Sequence, residues 1–447
     1  MSEHFVEQPR YLCSLGGAAA TVTALPGGVP ILHSASGCAG NFAWTQNGGS
    51  GLQVGGYCGS LSVPSSNIQE TEVVFGGEDR LREQIRNTLD VIDGGLYVVV
   101  TGCVPEVIGD DIFAVVRDFR EEGASIIGAA TGGFRGNSYW GYDLVLQALA
   151  KDYLERGLPK EKGRVNLWGI VPYMDPFWRG NLEGARLLLE QLGLRVNSFF
   201  TTDDTLEEIR TAGAAELNIV VSDIYGQGAA GLFSEFHTTP SLTVPLPVGP
   251  SASGEFLRAV GDALGLEPGE VEAVIARGMR RYYQTMEPLI DCWNDMDLQR
   301  YAVVVGDANY SVALTRFLAD DLGWLPELAV CTDQLTDEEQ RSLTERVRGL
   351  ASGFPVNLVF ETDTGEVLGH LNRGRPRSRG EKYFNAFSPA FVVGSSLDRE
   401  LARSIGAAHL SVSFPVANRA VLDRGYTGFN GGLRLVEDLL SAIVANR

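Results

Sequence analysis

Cys13, Cys38 and Cys103 are the residues of this chain best suited to chemistry, and each stands among glycine and small residues at a turn. Cys13 lies in Leu12-Cys13-Ser14-Leu15-Gly16-Gly17, Cys38 in His33-Ser34-Ala35-Ser36-Gly37-Cys38-Ala39-Gly40, and Cys103 in Thr101-Gly102-Cys103-Val104-Pro105-Glu106. Thiolates hold iron–sulfur clusters, and glycine beside them lets the backbone approach a bulky inorganic group. Three thiolates are one short of the usual four, so further ligands must come from elsewhere, such as a second chain. Any one of the three alone reads equally well as a small buried hydrophobe. The three contexts together read as a cluster site.

These cysteines need elements to position them. Asp79 to Val91 has the periodicity of an amphipathic helix, and Leu96 to Val100 reads as a buried strand that delivers Cys103 at its C-terminal end. Ligands of open α/β sheets sit at that end. The run Asn47 to Ser60 is so rich in glycine that regular helix is not expected there; it reads as a surface loop or as a wrap around the cluster or a partner. A βαβ pattern follows in Val165–Val171, Asn181–Leu192 and Leu194–Val196, and strands continue at Glu216–Ser222 and Thr243–Pro247. Ser253 to Leu289 is mostly helical. Strands at Tyr301–Asp307, Leu328–Cys331, Ala390–Ser395 and Leu410–Phe414, with helices at Tyr310–Leu322 and Leu397–Ile405, make a third unit. The expected fold class is α/β, with three Rossmann-like domains whose parallel sheets are flanked by helices. The expected domains are 1–160, bearing the cysteines and a partner interface, 161–295 and 296–447. Asn372 to Lys382, basic and proline-containing, reads as an exposed loop.

Composition narrows the function. The chain has 447 residues and a formal net charge of −20, which argues against nucleic acid and anionic membrane surfaces as partners. No apolar run is long enough to span a membrane, and the N-terminal residues lack the pattern of a signal peptide. Six cysteines without an export signal favour reduced thiols, and so a cytoplasmic setting. None of the five histidines, His4, His33, His237, His370 and His409, forms a zinc-type pair. No P-loop or full dinucleotide fingerprint occurs, so Val305-Gly306-Asp307 reads as structural. No nucleophile elbow is present, which leaves hydrolase chemistry unsupported. His33 either hydrogen-bonds near the cluster or packs. Glu106, Asp110 and Asp111 read as capping and orienting groups, Cys58 as an unliganded thiol, and Cys292 and Cys331 as core thiols.

The cysteine contexts resemble the cluster-binding segments of the β-type subunit of nitrogenase component 1. His33 to Cys38 is similar to a His-Gly-x-x-Gly-Cys turn, with Ser34 in place of the glycine. Cys103 and Glu106 to Asp111 match Cys-x-x-Glu-Val-Ile-Gly-Asp-Asp, and Val73-Val74-Phe75-Gly76-Gly77 is similar to a further block. The cysteine intervals of 25 and 65 residues suit the family. Thr201 to Thr205, Phe414-Pro415 and Gly425-Tyr426-Thr427-Gly428 extend the likeness.

The resemblance implies that Cys13, Cys38 and Cys103 hold half of an iron–sulfur cluster, an 8Fe-7S P-cluster type or a 4Fe-4S cluster, shared with an α-type subunit in an α2β2 assembly. An ATP-dependent iron protein would supply electrons. The family's α subunit holds the catalytic cofactor through a middle-domain Cys and a C-terminal His. Ser222 to Gly228 contains no Cys and no His follows His409, so the cofactor is expected in the partner. Gly133 stands where many β subunits carry a serine that ligates the oxidised cluster. Among nitrogenase-like reductases, methylthio-alkane reduction is slightly favoured and dinitrogen reduction is close behind. A non-catalytic scaffold for nitrogenase cofactor assembly is the alternative.

Overall fold

Every pairing between the strands of the computed structural model is parallel. The structure describes residues 6, 8–52, 63–293, 295, 297–374 and 388–445. Its first sheet, in order β1-β2-β3, is built from β1 (Gly28–His33), β2 (Leu96–Thr101) and β3 (Ile126–Ala129). The second has β4 (Glu161–Trp168), β5 (Arg195–Asn197), β6 (Ala215–Val220) and β7 (Ser241–Thr243) in the order β5-β4-β6-β7. The third has β8 (Tyr301–Gly306), β9 (Leu325–Cys331), β10 (Asn357–Phe360), β11 (Ala390–Gly394) and β12 (Ala408–Ser411) in the order β10-β9-β8-β11-β12. This is the expected α/β class.

Both faces of the first sheet are buried, as parallel sheets require. Val29, Ile31, Tyr97 and Val99 face the helices Glu78–Val91 and Ile112–Glu121. Leu32, Val98 and Val100 face a core shared with the rest of the molecule. On that side the helices Ser14–Ala24 and Ser138–Ala148 meet backbone to backbone. A Cβ on Gly17 would fall 1.9 Å from the Ser138 carbonyl oxygen, and one on Gly141 would fall 1.9 Å from that of Ser14. Among the described residues no helix is long and apolar enough to cross a membrane.

The glycine-rich run departs from the sequence expectation. The helix Ser36–Gly49 takes in Asn47, Gly48 and Gly49. Tertiary contact outweighs propensity here, because a Cβ on Gly49 would meet the Phe414 ring at 2.5 Å. The Val416 N–H then donates to the Gly49 carbonyl at 2.6 Å, and the Gly51 N–H to that of Val416 at 2.8 Å. This part of the run is pinned to the C-terminal unit. Cys58 and the remainder from 53 to 60 lie outside the described residues, as do 375–382 of the basic stretch, whose first residues close the helix Val367–Gly374.

The segment leading to Cys13 is also held by the C-terminal unit. Buried Arg10 forks onto Asp398, with Nη1–Oδ2 at 2.6 Å and Nη2–Oδ1 at 2.7 Å, and Nη1 also donates to Ser395 Oγ at 2.8 Å. Arg10→Ala leaves the Asp398 carboxylate buried without its cation, at an expected cost of about 3–5 kcal/mol. Urea unfolding of the variant against the parent chain measures it. A cost under about 1 kcal/mol, the range of exposed ion pairs, would show that the fork does not anchor this segment.

Candidate functional site

The register of the first sheet brings the cysteines to one edge. Gly28 pairs with Leu96 and His33 with Thr101, while Val100 pairs with Ala129, so the three strands end level. From those ends the chain turns into the helix Ser36–Gly49 with Cys38 in its first turn, the helix Cys103–Ile108, and the loop Ala130 to Gly136. Cys13 reaches the same place as the residue before the helix Ser14–Ala24, bridged to Asn137. All three cysteines therefore sit at helix starts, where unpaired N–H groups favour negative charge.

Gly133 lies between two of them. Its N–H donates to Cys103 Sγ at 3.2 Å. A Cβ there would stand 3.0 Å from Cys103 Sγ and 3.2 Å from Cys13 Cβ, so a side chain at this position would need its neighbours to give by a few tenths of an ångström. Cys13 and Cys103 are exposed and Cys38 is half-buried. Burial pushes the Cys38 thiol up and the neighbouring Cys13 charge adds to this; a hydrogen bond with Ser34 opposes it, and Cys103 raises it further. The thiols thus sense one another, and a cationic centre among them is what would let all three ionise together. Among the described residues no group of three or more His, Cys, Asp or Glu side chains is placed to hold a metal ion. By their chemistry, three thiols near one another would suit an iron–sulfur group that draws further ligands from elsewhere.

The acidic residues after Cys103 are braces. Glu106 accepts from Thr101 Oγ1, from the Gly132 N–H at 2.6 Å and from Arg135 Nε at 2.6 Å, tying the Cys103 helix to the glycine loop. Ser14 Oγ donates to the carbonyls of Thr131 and Gly132 at 2.8 and 2.7 Å, fixing the same loop to the Cys13 helix. Asp111 caps the helix Ile112–Glu121, and Asp110 accepts from the Gly77 N–H at 2.9 Å. His33 takes the packing alternative. Its ring nitrogens lie 2.9 Å from Ser66 Oγ and 2.9 Å from Asp110 Oδ2, which leaves none for a cluster sulfur. Burial also lowers its affinity for a proton, partly offset by Asp110.

The Cys103 helix and the elements around the thiols expose apolar side chains. Val107 is 74 % exposed, Phe134 61 % and Trp140 48 %; Phe75, on the helix Glu70–Phe75 packed against the Cys103 helix, is 84 % exposed. Sequence reasoning did not find this rim, although Val73 to Gly77 was singled out as a motif. Cys331 is buried at the end of β9, as expected of a core thiol. The Cys292 side chain lies outside the described residues.

A second polar cluster joins the middle and C-terminal units. Asp175 accepts from Tyr310 Oη and the Phe177 N–H, both at 2.8 Å, and from Asn181 Nδ2 at 2.7 Å. Tyr225, in the segment Ser222 to Gly228, stacks on Tyr139 at 4.4 Å and hydrogen-bonds to Asp333. Asp307 caps the helix Ala308–Arg316 from a buried position, a structural role.

Residues 13–444 match the family described as nitrogenase component 1 type oxidoreductase. The chain is 21 % identical over 472 residues to the nitrogenase vanadium-iron protein beta chain of Trichormus variabilis, covering 99 % of this chain and 94 % of that one. It is 22 % identical over 476 residues to the nitrogenase molybdenum-iron protein beta chain of Methanococcus maripaludis, covering 98 % and 94 %. The nitrogenase iron-molybdenum cofactor biosynthesis protein NifE of that organism is 28 % identical over 272 residues, 57 % of this chain and 52 % of its own. The solved structure "Nitrogenase Cp1 at pH 6.5" superposes with a TM-score of 0.80 over 100 % of this chain and 94 % of that one at 18 % identity, a likeness of fold.

Two outcomes are expected of these clusters. Glu106→Ala strands the Gly132 N–H and the Thr101 hydroxyl, costing about 1–3 kcal/mol, and should speed labelling of Cys103 by a thiol reagent; unchanged stability and labelling would remove its role as a brace. Burial pushes the Asp175 carboxyl up to about 6, against hydrogen bonds from Asn181, Tyr310 and Phe177 that pull it down. A carboxyl raised on folding holds its proton more tightly in the folded chain. Its contribution is therefore full below the ordinary carboxylate range and is lost as pH climbs to about 6. Urea midpoints across that range should fall less steeply in Asp175→Asn than in the parent chain.

Proposed function

Since the chain belongs to the nitrogenase component 1 type oxidoreductase family, we propose that it is the β-type subunit of a nitrogenase-like two-component reductase. Cys13, Cys38 and Cys103 would hold half of a shared iron–sulfur cluster, of P-cluster type or 4Fe-4S, and an α-type chain would complete it. The observation that carries this is the convergence of three cysteines at one sheet edge, with the Gly133 backbone between two of them and an exposed apolar rim around them. When bound, the cluster supplies one-electron relay from an ATP-dependent iron protein to the partner's cofactor.

This chain's residues hold, shield and tune. The Gly133 N–H, already aimed at Cys103 Sγ, withdraws charge from that sulfur and so favours the reduced state. Glu106 and Ser14 keep the loop at its distance. Phe134, Val107 and Trp140 would seat against the α-type chain and exclude water, which sharpens every electrostatic interaction inside. The segment Ser222 to Gly228, which the resemblance sets against the α subunit's cofactor cysteine, carries no Cys, and its buried Tyr225 is stacked on Tyr139, which supports placing the catalytic cofactor in the partner. The substrate is then selected by the partner's pocket. Reduction of methylthio-alkanes is slightly favoured, with dinitrogen close behind, because Gly133 replaces the serine of many dinitrogenase β subunits and the run 47–60 is unusually rich in glycine.

The partial match to NifE supports a second reading, a scaffold that passes on a cofactor precursor. Anaerobic co-purification with the α-type chain separates the two. The reductase reading expects an α2β2 mass in native mass spectrometry, stably bound iron and a cluster EPR signal that Cys38→Ala largely abolishes. Labile iron, with no turnover in the presence of iron protein, would favour the scaffold. A Cys38→Ala complex with intact iron content and signal would sink the shared-cluster assignment.

A further inference from the structure

A cavity of about 610 Å³ opens where the helix Trp178–Glu190, the helix Pro268–Met286 and the start of the helix Gly428–Ala445 meet. These elements are separate from those that carry the cysteines. Ligand sites favour such junctions and span about 300–1,000 Å³. Four arginines line it: Arg179, Arg277, Arg281 and Arg434. The glycines of its wall are accounted for by packing. A Cβ on Gly180 would lie 2.2 Å from the Asp423 carbonyl oxygen, and one on Gly278 would lie 2.3 Å from the Phe429 ring. The arginines are not all accounted for in this way.

Arg179 rests on the Trp178 ring, 4.5 Å from its centroid. Arg277, Arg281 and Arg434 are exposed and have no ion pair among the described residues, in a chain with 56 acidic residues against 36 basic ones. Arg277 and Arg281 are four residues apart on one helix, a spacing at which like charges repel. Arg434 brings a third positive charge from another helix. Two acids also line the cavity. Glu183 is engaged by Arg186 at 3.1 Å, which leaves Asp423 to offset one of the four cations.

The floor consists of buried Leu188, Phe200 and Phe429. At the helix start the Gly428 N–H is taken by the Pro247 carbonyl at 2.7 Å, and the following amides have no partner within the helix. Guanidinium forks and free amides both match phosphate and carboxylate oxygens.

We propose that this cavity is a binding site for a small organic anion carrying two or more negative charges, phosphate or carboxylate, with an apolar portion set on the phenylalanine floor. The site is independent of the cysteine centre. Anion binding relieves the repulsion between Arg277 and Arg281 and supplies countercharge that the described residues provide only in part.

Isothermal titration of the purified full-length chain, and of its complex with the partner chain, with pyrophosphate and with citrate tests this at low and at physiological salt. The expected result is saturable binding of one anion per chain that weakens with salt. The exposed double substitution Arg277→Gln/Arg281→Gln and the single Arg434→Gln should each weaken it at least tenfold. Pyrophosphate binding alone assigns a phosphate-bearing ligand, citrate binding alone a polycarboxylate, and both support the site. Failure of both anions to bind overturns the proposal, as does binding that these substitutions leave unchanged. If the substitutions instead release the partner chain while neither anion binds, the cavity is a protein contact and the proposal is also overturned.

Discussion

The level termination of β1, β2 and β3 is the constraint on which the cysteine centre depends. Parallel register makes His33, Thr101 and Ala129 end at one edge, so the turns that follow must share that space. A slip of one residue would reverse the faces of the strand and carry its turn away from the others. The constraint is reinforced outside the sheet. Glu106 and Ser14 both grip the loop around Gly132, one from the Cys103 helix and one from the Cys13 helix. Two thiols more than 85 residues apart in sequence are thereby positioned through a single stretch of backbone. A Cβ at Gly132 would stand 3.0 Å from Glu106 and one at Gly133 3.0 Å from Cys103 Sγ, so glycine leaves both neighbours undisplaced.

The two polar centres show opposite treatments of ionisable groups. Around Asp175 the carboxylate is surrounded on all sides by donors from Tyr310, Asn181 and Phe177, within a core that joins two units. Such a centre rigidifies and leaves nothing over for a ligand. At the cysteine edge two thiols are exposed and the surrounding large side chains are apolar. Val107, Phe134 and Trp140 stand open to solvent there, and clustered exposed apolar side chains mark interaction surfaces. Both features fit a centre that is finished by another subunit.

Much of the fold was legible because long apolar strands and amphipathic helices carry their periods openly. Leu96–Thr101 and Glu78–Val91 lie within a residue of their expected bounds. β1 was not foreseen, because Pro30 argues against a strand; as an edge strand, β1 tolerates it. β3 and β10 have only four residues each, too few to show a period. β12 lies two residues before its expected start at Leu410. The helix through Gly48 and Gly49 was hidden because its cause, the Phe414 ring, lies far along the chain. The same holds at the site. The three cysteines and the local roles of Asp111 and Cys331 could be read from nearby residues. The Arg10–Asp398 fork, the apolar rim and the arginine cavity are formed only by tertiary contact and have no local signature.

The two outward-facing features also recognise by different physics. The apolar rim acts through contact and burial, and its strength grows with the area a partner covers. The arginine cavity works against the field of a chain with a net charge of −20, which repels anions from a distance. At physiological salt that field is screened beyond about 8 Å, so an arriving anion is governed chiefly by the charges it can touch. Arg277, Arg281 and Arg434 supply those charges, and none of the three is in an ion pair among the described residues. Occupancy at such a site depends on how many guanidinium groups a ligand engages at once. A monovalent anion meets one or two and pays the same long-range repulsion per charge, so an acidic protein with a local cationic cavity discriminates by valence and by shape rather than by attraction from afar.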